Sequence, residues 1–320
     1  MPSSPKQPSA VYQSRFREWD EKSWVRSKPH QLEPFSPELD FYSESVTPLF
    51  SHPQVISAPK DIRAKLLVLQ LYSYLEFTVW LELGPVNEIC DLLRRPDFLP
   101  WLPSQMKDDA LKIYVDEGGH AEMSHALTVA AEQATGVKPL KIEPAFLKTL
   151  DQLVSREEPE FHSMIKLFFV IISETLITGT LLNLPRDERV QGAVRDLAAD
   201  HANDEGRHHA YFRQVFEYVW SRLPQETRIK IGTLLPDMIL AFLNPDTQSM
   251  TKMLEQFPET FSLPGKIVRE IVDSEATING IKKAASPTLK MLRDNQVFTY
   301  PEILSAFLAK RLSPESLIHE

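Results

Sequence analysis

From about Asp61 to Leu312, apolar residues recur at i, i+3, i+4 and i+7 in nearly every segment, the spacing of helices that bury one face. The pattern predicts four long helices at 61–95, 104–134, 160–184 and 187–222. Shorter ones are predicted at 225–243, 246–256, 263–294 and 300–312. Pro103 and Ser104 open the second long helix, Gly136 closes it, and Pro185 stops the third. No run alternates apolar and polar residues as a half-buried strand would. Residues 1–60 are proline-rich ("LEPFSPELDF", "SHPQVISAPK") and read as an extended arm, partly wrapped on the rest. The expected class is all-α. Residues 61–320 form one helical domain, with a bundle core at about 61–222 and additional helices at 225–312.

The pattern fails in informative places. In the fourth helix, Val194, Leu197 and Ala198 lead into "DHANDEGRHH", and Phe212, Val215 and Val219 follow it in the same phase. Carried through the quoted stretch, that phase falls on His201, Asp204, Glu205 and His208. In the second helix the apolar stripe runs Ala110, Ile113, then Glu117, His120 and Ser124, then Leu127 and Ala131. In the third, Glu174 is the only charge between Leu167 and Leu182. A solitary buried carboxylate costs several kcal/mol unless it is paired, protonated or bound to a metal. The first helix offers Glu76, Glu82 and Glu88. If it packs antiparallel to the second, Glu82 lies level with Glu117, because both sit 13 residues from the ends flanking the loop, Arg95 and Ser104. Glu76 would lie about 9 Å deeper. Glu82 is therefore the choice, with a kink expected just beyond it at Gly84-Pro85.

One glutamate from each of two helices, with Glu-x-x-His from each of two others, is the ligand set of ferritin-like di-iron and di-manganese carboxylate proteins. Carboxylate oxygens and imidazole nitrogens suit such metals, and structural ion pairs are the competing reading. Asp116 and Asp204 precede the two Glu-x-x-His pairs. On facing helices Asp116 is placed to orient His208, and Asp204 to orient His120. His201, one turn before Glu205 and near the azimuth of His208, can add a third imidazole. His125 and His209 point away from the ligand face.

Composition narrows the picture further. A net charge of −9 and a pI near 5.6 offer no footprint for nucleic acid and no polybasic membrane patch. The single cysteine, Cys90, excludes an intramolecular disulfide and fits a reducing cytoplasm. The start, "MPSSPKQPSAVYQ", has no apolar run of the secretory kind. The apolar stretch around Glu174 is too short and too interrupted for a membrane span. With 10 glycines and no GxGxxG or GKT/GKS motif, no phosphate-cradling loop is expected.

The order Glu82, Glu117-Gly-Gly-His120, Glu174, His201-Ala-Asn-Asp-Glu205-Gly-Arg-His208 resembles the ferritin-like arylamine N-oxygenases typified by p-aminobenzoate N-oxygenase. The extra histidine of the last motif is that family's mark, and the resemblance runs from about residue 60 to 245. It implies two iron ions held by Glu82, Glu117, His120, Glu174, His201, Glu205 and His208, with His201 and Glu174 also acting in catalysis. It further implies O₂ as co-substrate, an external electron donor or reductase, and a homodimer. The substrate would be a primary amine, small or carrier-bound, oxidised to hydroxylamine, nitroso or nitro product in secondary-metabolite biosynthesis. Tyr74, Thr78, Ile177, Thr178, Asn183 and Phe242 are candidate pocket residues. A hydroxylase, desaturase or radical-generating protein could use the same metal pairs, so that alternative stays open.

Overall fold

Four long helices carry the ligand-bearing stretches. In the computed structural model, which describes residues 11–27, 32–181 and 183–313, α1 spans Lys60–Leu81 and continues through a π-helical turn, Glu82–Val86, into α2, Asn87–Arg94. The expected kink lies in that turn, where Gly84 has non-helical φ/ψ of −89° and −107°. Pro85 contributes no N–H, and its ring crowds the carbonyl four residues back. The first residue of the irregular turn is Glu82, in keeping with π-turns being frequent at functional positions.

The second long helix, α3, runs Ser104–Thr135 and ends on Gly136 in the left-handed region at φ 69°, where its N–H reaches the Glu132 carbonyl. Next come α4 (Ala145–Ser155), α5 (Pro159–Leu181) and α6 (Gly192–Trp220). The remaining helices are α7 (Gln225–Leu243), α8 (Thr247–Glu255), α9 (Pro264–Val272), α10 (Glu275–Asp294) and α11 (Pro301–Ala309). The described residues contain no strand, only an isolated bridge between Asp40 and Val190. The chain is an all-α, ferritin-like bundle in which α1 and α2 pack on α3, α3 on α6, and α6 on α5. The additional helix α7 covers α5, with α4 and α11 against it.

Four expectations need correction. Helix α4 falls where no element was predicted, although Phe146, Leu150 and Leu153 are buried at helical spacing. The stretch 263–294 is two helices, because Ser274 accepts the Thr277 N–H and starts α10 afresh. The fourth long helix begins at Gly192 rather than 187, since the chain at 190–191 pairs with Asp40 in the arm. The arm itself is not simply extended. It forms short helical turns at Trp19–Lys22, Trp24–Ser27 and Pro53–Ile56, and it buries Tyr12, Phe16 and Trp24.

Among the described residues the core has two apolar clusters. One holds Ile113, Ile89, Phe168 and Phe212; the other holds Leu71, Leu127, Leu197 and Ala198. Between Ile113 and Leu127 on α3, and between Ala198 and Phe212 on α6, lies the polar layer. The stretch Lys60–Arg94 is long and apolar enough to cross a membrane, but more than half of its most apolar window is buried in the bundle.

Candidate metal centre

The polar layer is formed by side chains from α3, α5, α6 and the π-turn, all pointing inward. Glu82, His120, His201 and Glu205 bring one ligand atom each to within 4.8 Å of one another; so do Glu117, Glu174, Glu205 and His208. All of these residues are buried. Glu205 belongs to both groups. Glu117 also spans them, with Oε2 3.0 Å from His120 Nδ1 and Oε1 3.1 Å from His208 Nδ1. His201 Nε2 lies 2.9 Å from Glu82 Oε1 and 3.3 Å from Glu205 Oε1. The structure thus brings together all seven residues the sequence proposed as ligands. Of the rejected alternatives, Glu88 is exposed and paired with Lys166, while Glu76 is half-buried and accepts from Trp80 Nε1.

Among the described residues no lysine or arginine pairs with Glu82, Glu117, Glu174 or Glu205; against the lowering effect of burial, their charges hold His120 and His208 well above the ordinary imidazole value and His201 at about 9. Among the described residues, Glu82 Oε2, Glu117 Oε1, Glu174 Oε2, Glu205 Oε2 and His201 Nδ1 are buried without an aligned hydrogen-bond partner. His201 Nε2, though close to Glu82, is not aligned for a hydrogen bond. Burial, followed by the charges of Glu205 and Glu117, pushes the Glu174 carboxyl well above its ordinary value, and burial lifts Glu82 to about 7. Four buried carboxylates with orphaned oxygens are costly on their own. A hard divalent cation in each group would satisfy them, and the oxygen and imidazole donors match such a metal.

The histidines are held from behind. His120 Nε2 is 3.2 Å from Asp204 Oδ2, and His208 Nε2 is 3.1 Å from Asp116 Oδ2, both crossing between α3 and α6. These contacts direct each Nδ1 toward the centre. The arm completes this layer. Trp19 Nε1 and Ser23 Oγ donate to Asp116, the Trp24 backbone N–H donates to Asp204, and Arg207 pairs with Asp204. Phe16 stacks on the His208 ring at 6.1 Å between centroids. A Cβ at Gly119 would collide with Val25 Cγ1, so the arm also rests on the glycine pair between Glu117 and His120. Sequence reasoning missed Trp19, Ser23, Trp24 and Arg207. For the three arm residues the aromatic-rich stretch "FREWDEKSW" was the only signal, and nothing in it names a partner.

A cavity of about 310 Å³ opens from Glu82 and His201. Tyr74, Thr78 and Phe242 line it as expected residues, joined by Phe77 and Leu176. The Tyr74 hydroxyl is buried and has no hydrogen-bond partner among the described residues. Asn183 does not line it: α5 ends at Leu181, leaving Asn183 exposed in the following turn. The side chains of Ile177 and Thr178 lie outside the described ones. His125 is exposed, and His209 Nδ1 lies 3.3 Å from the Glu174 carbonyl, bracing α6 against α5.

Fold and site define a ferritin-like helical bundle whose buried carboxylate–histidine clusters could hold metal. The family model described as P-aminobenzoate N-oxygenase AurF matches residues 6–295, and the chain belongs to that family. Membership makes it an N-oxygenase-type oxidoreductase. The match reaches beyond the bundle at both ends and takes in the arm. No curated protein matches the chain.

Proposed function

We propose that the chain is a di-iron, O₂-dependent N-oxygenase that oxidises a primary amine, small or carrier-bound, in secondary-metabolite biosynthesis. The observation that carries this reading is the pair of buried ligand groups sharing Glu205, with Glu117 spanning both. Glu82, His120 and His201 would hold one ion, Glu174 and His208 the other, with Glu117 and Glu205 between them. Bound iron would supply the reduction of O₂ that inserts one oxygen atom into the N–H bond: R–NH₂ + O₂ + 2e⁻ + 2H⁺ gives R–NHOH + H₂O. The electrons come from an external donor, and further cycles lead to nitroso and nitro products.

The chain's own residues do the rest. Asp116 and Asp204 fix the tautomer and direction of His208 and His120. The cavity brings an amine to the Glu82–His201 side, and its aromatic wall excludes water from the reacting nitrogen. The unpartnered Tyr74 hydroxyl offers that bound amine a hydrogen bond. His201 adds a neutral donor that leaves the carboxylate balance unchanged and occupies a position water would otherwise take. A homodimer in the cytoplasm belongs to the same proposal.

The test is to load the protein with iron, supply reductant, O₂ and an amine panel, and identify products by mass spectrometry. Hydroxylamine formation supports the proposal. Hydroxylated or desaturated carbon products with intact amines would select the other di-metal oxidases, and a single zinc in the polar layer would end both readings.

A further inference from the structure

The cavity runs along α1 from Glu82 back to Gln70, a span of about 18 Å at helical rise. Apart from the centre's own Glu82 and His201, two ionisable carboxylates line it, Glu76 and Asp246, and among the described residues no lysine or arginine does. Residues 177–182, Ile-Thr-Gly-Thr-Leu-Leu, are uncharged in sequence. Neither cavity acid is ion-paired among the described residues. Glu76 accepts from the Trp80 indole N–H, and Asp246 accepts from the backbone N–H groups of Ser249 and, more distantly, Ala145. The other polar groups are neutral, among them Gln70 and the Ser73–Ser249 hydroxyl pair.

Resting on the N-oxygenase reading, we infer that the substrate carries no anionic group at the end remote from its amine: the cavity selects neutral or cationic arylamines. The amine must reach Glu82 and His201. A ring then points its far substituent back along α1, toward Glu76, about 9 Å from Glu82 along the axis. A carboxylate there would lose water, find no cation, and face acids. Desolvation and like charge both disfavour its ionised form. An amide or an ammonium group instead finds acceptors in Glu76 and Gln70, and a longer substituent reaches the Ser73–Ser249 pair. The family is described by an aminobenzoate, yet this chain's cavity supplies no counter-ion for one among its described residues.

Binding tests this without turnover. Isothermal titration of the metal-loaded protein at pH 7.5 would compare 4-nitrobenzamide, 4-nitrobenzylamine and 4-nitrobenzoate. The amide or the amine is expected to bind at least roughly tenfold more tightly than the benzoate. Equal or tighter binding of the benzoate, or no binding of any probe, would overturn the inference. Glu76→Gln keeps an acceptor for Trp80 and removes one charge. It should narrow the benzoate's disadvantage relative to the amide at least roughly threefold; an unaltered gap would refute selection by the cavity acids. Turnover of 4-aminobenzamide is scored separately. A binding preference without N-oxidation would defeat the reaction proposed above and leave the charge selection standing.

Discussion

Trp19 Nε1 donates to Asp116 Oδ1 at 2.8 Å, and the other oxygen of that carboxylate lies 3.1 Å from His208 Nε2. One buried aspartate therefore joins an aromatic residue of the N-terminal arm to a candidate metal ligand. Ser23 donates to the same Asp116 oxygen as Trp19, and Trp24 approaches Asp204 behind His120. The short helical turns of the arm lack the length to be stable alone. Their order and the orientation of both histidines support each other.

Trp19→Phe keeps the ring and removes the N–H. It should lower iron affinity by roughly tenfold, the low end for losing an outer partner of a ligating histidine. By linkage, iron should also protect the arm from limited proteolysis. Unchanged affinity in metal titrations, together with cleavage of the arm insensitive to iron, would show that the contact is packing alone.

Asp204→Ala should cost more than the tryptophan change, with iron occupancy or activity falling roughly tenfold or beyond. The carboxylate meets His120, the Trp24 N–H and Arg207 together, so its loss frees three groups. Metal analysis after dialysis gives the occupancy; wild-type values would make Asp204 a bystander.

His201→Ala should leave both Glu-x-x-His pairs in place. Iron should still bind, more weakly, while hydroxylamine production falls sharply. His201 Nε2 lies 2.9 Å from Glu82 and 3.3 Å from Glu205, so its loss removes a neighbour of two carboxylates but no member of either Glu-x-x-His pair. Wild-type product rates in this variant would remove His201 from the functional ligands.

Glu174→Gln separates stability from function. In the metal-free protein the Glu174 carboxyl is raised well above its ordinary value, chiefly by burial. Its contribution is fully present below the unfolded-state value of about 4.3 and is lost as pH rises through the raised folded value. The metal-free variant should therefore melt a few degrees higher than metal-free wild type at pH 8, with the difference shrinking toward pH 5. Iron should stabilise the variant less than it stabilises wild type. Thermal melts across pH, with and without iron, read all three effects. A variant less stable than wild type without metal at pH 8 would contradict the account of a carboxyl made costly by burial.

The sequence by itself determined the all-α class, the long helices and the seven residues that converge in the polar layer. They were legible because a helix repeats its buried face every three to four residues, and acids or imidazoles in that phase have no place in an apolar core. Even the level of Glu82 followed from counting rise along two antiparallel helices. Tertiary structure alone decided the rest. Trp19 and Asp116 stand 97 positions apart, and Trp24 and Asp204 stand 180 apart. No local pattern in "FREWDEKSW" distinguishes a residue that clamps an aspartate from one that faces solvent. The cavity joins residues of α1 to Phe242 and Asp246 near the end of α7, so its charge is a property of their meeting. Asn183 shows the same limit in reverse, since where α5 stops decides whether that side chain faces the cavity or the solvent. Periodicity reports which face of a helix is buried; only the packed chain reports against what.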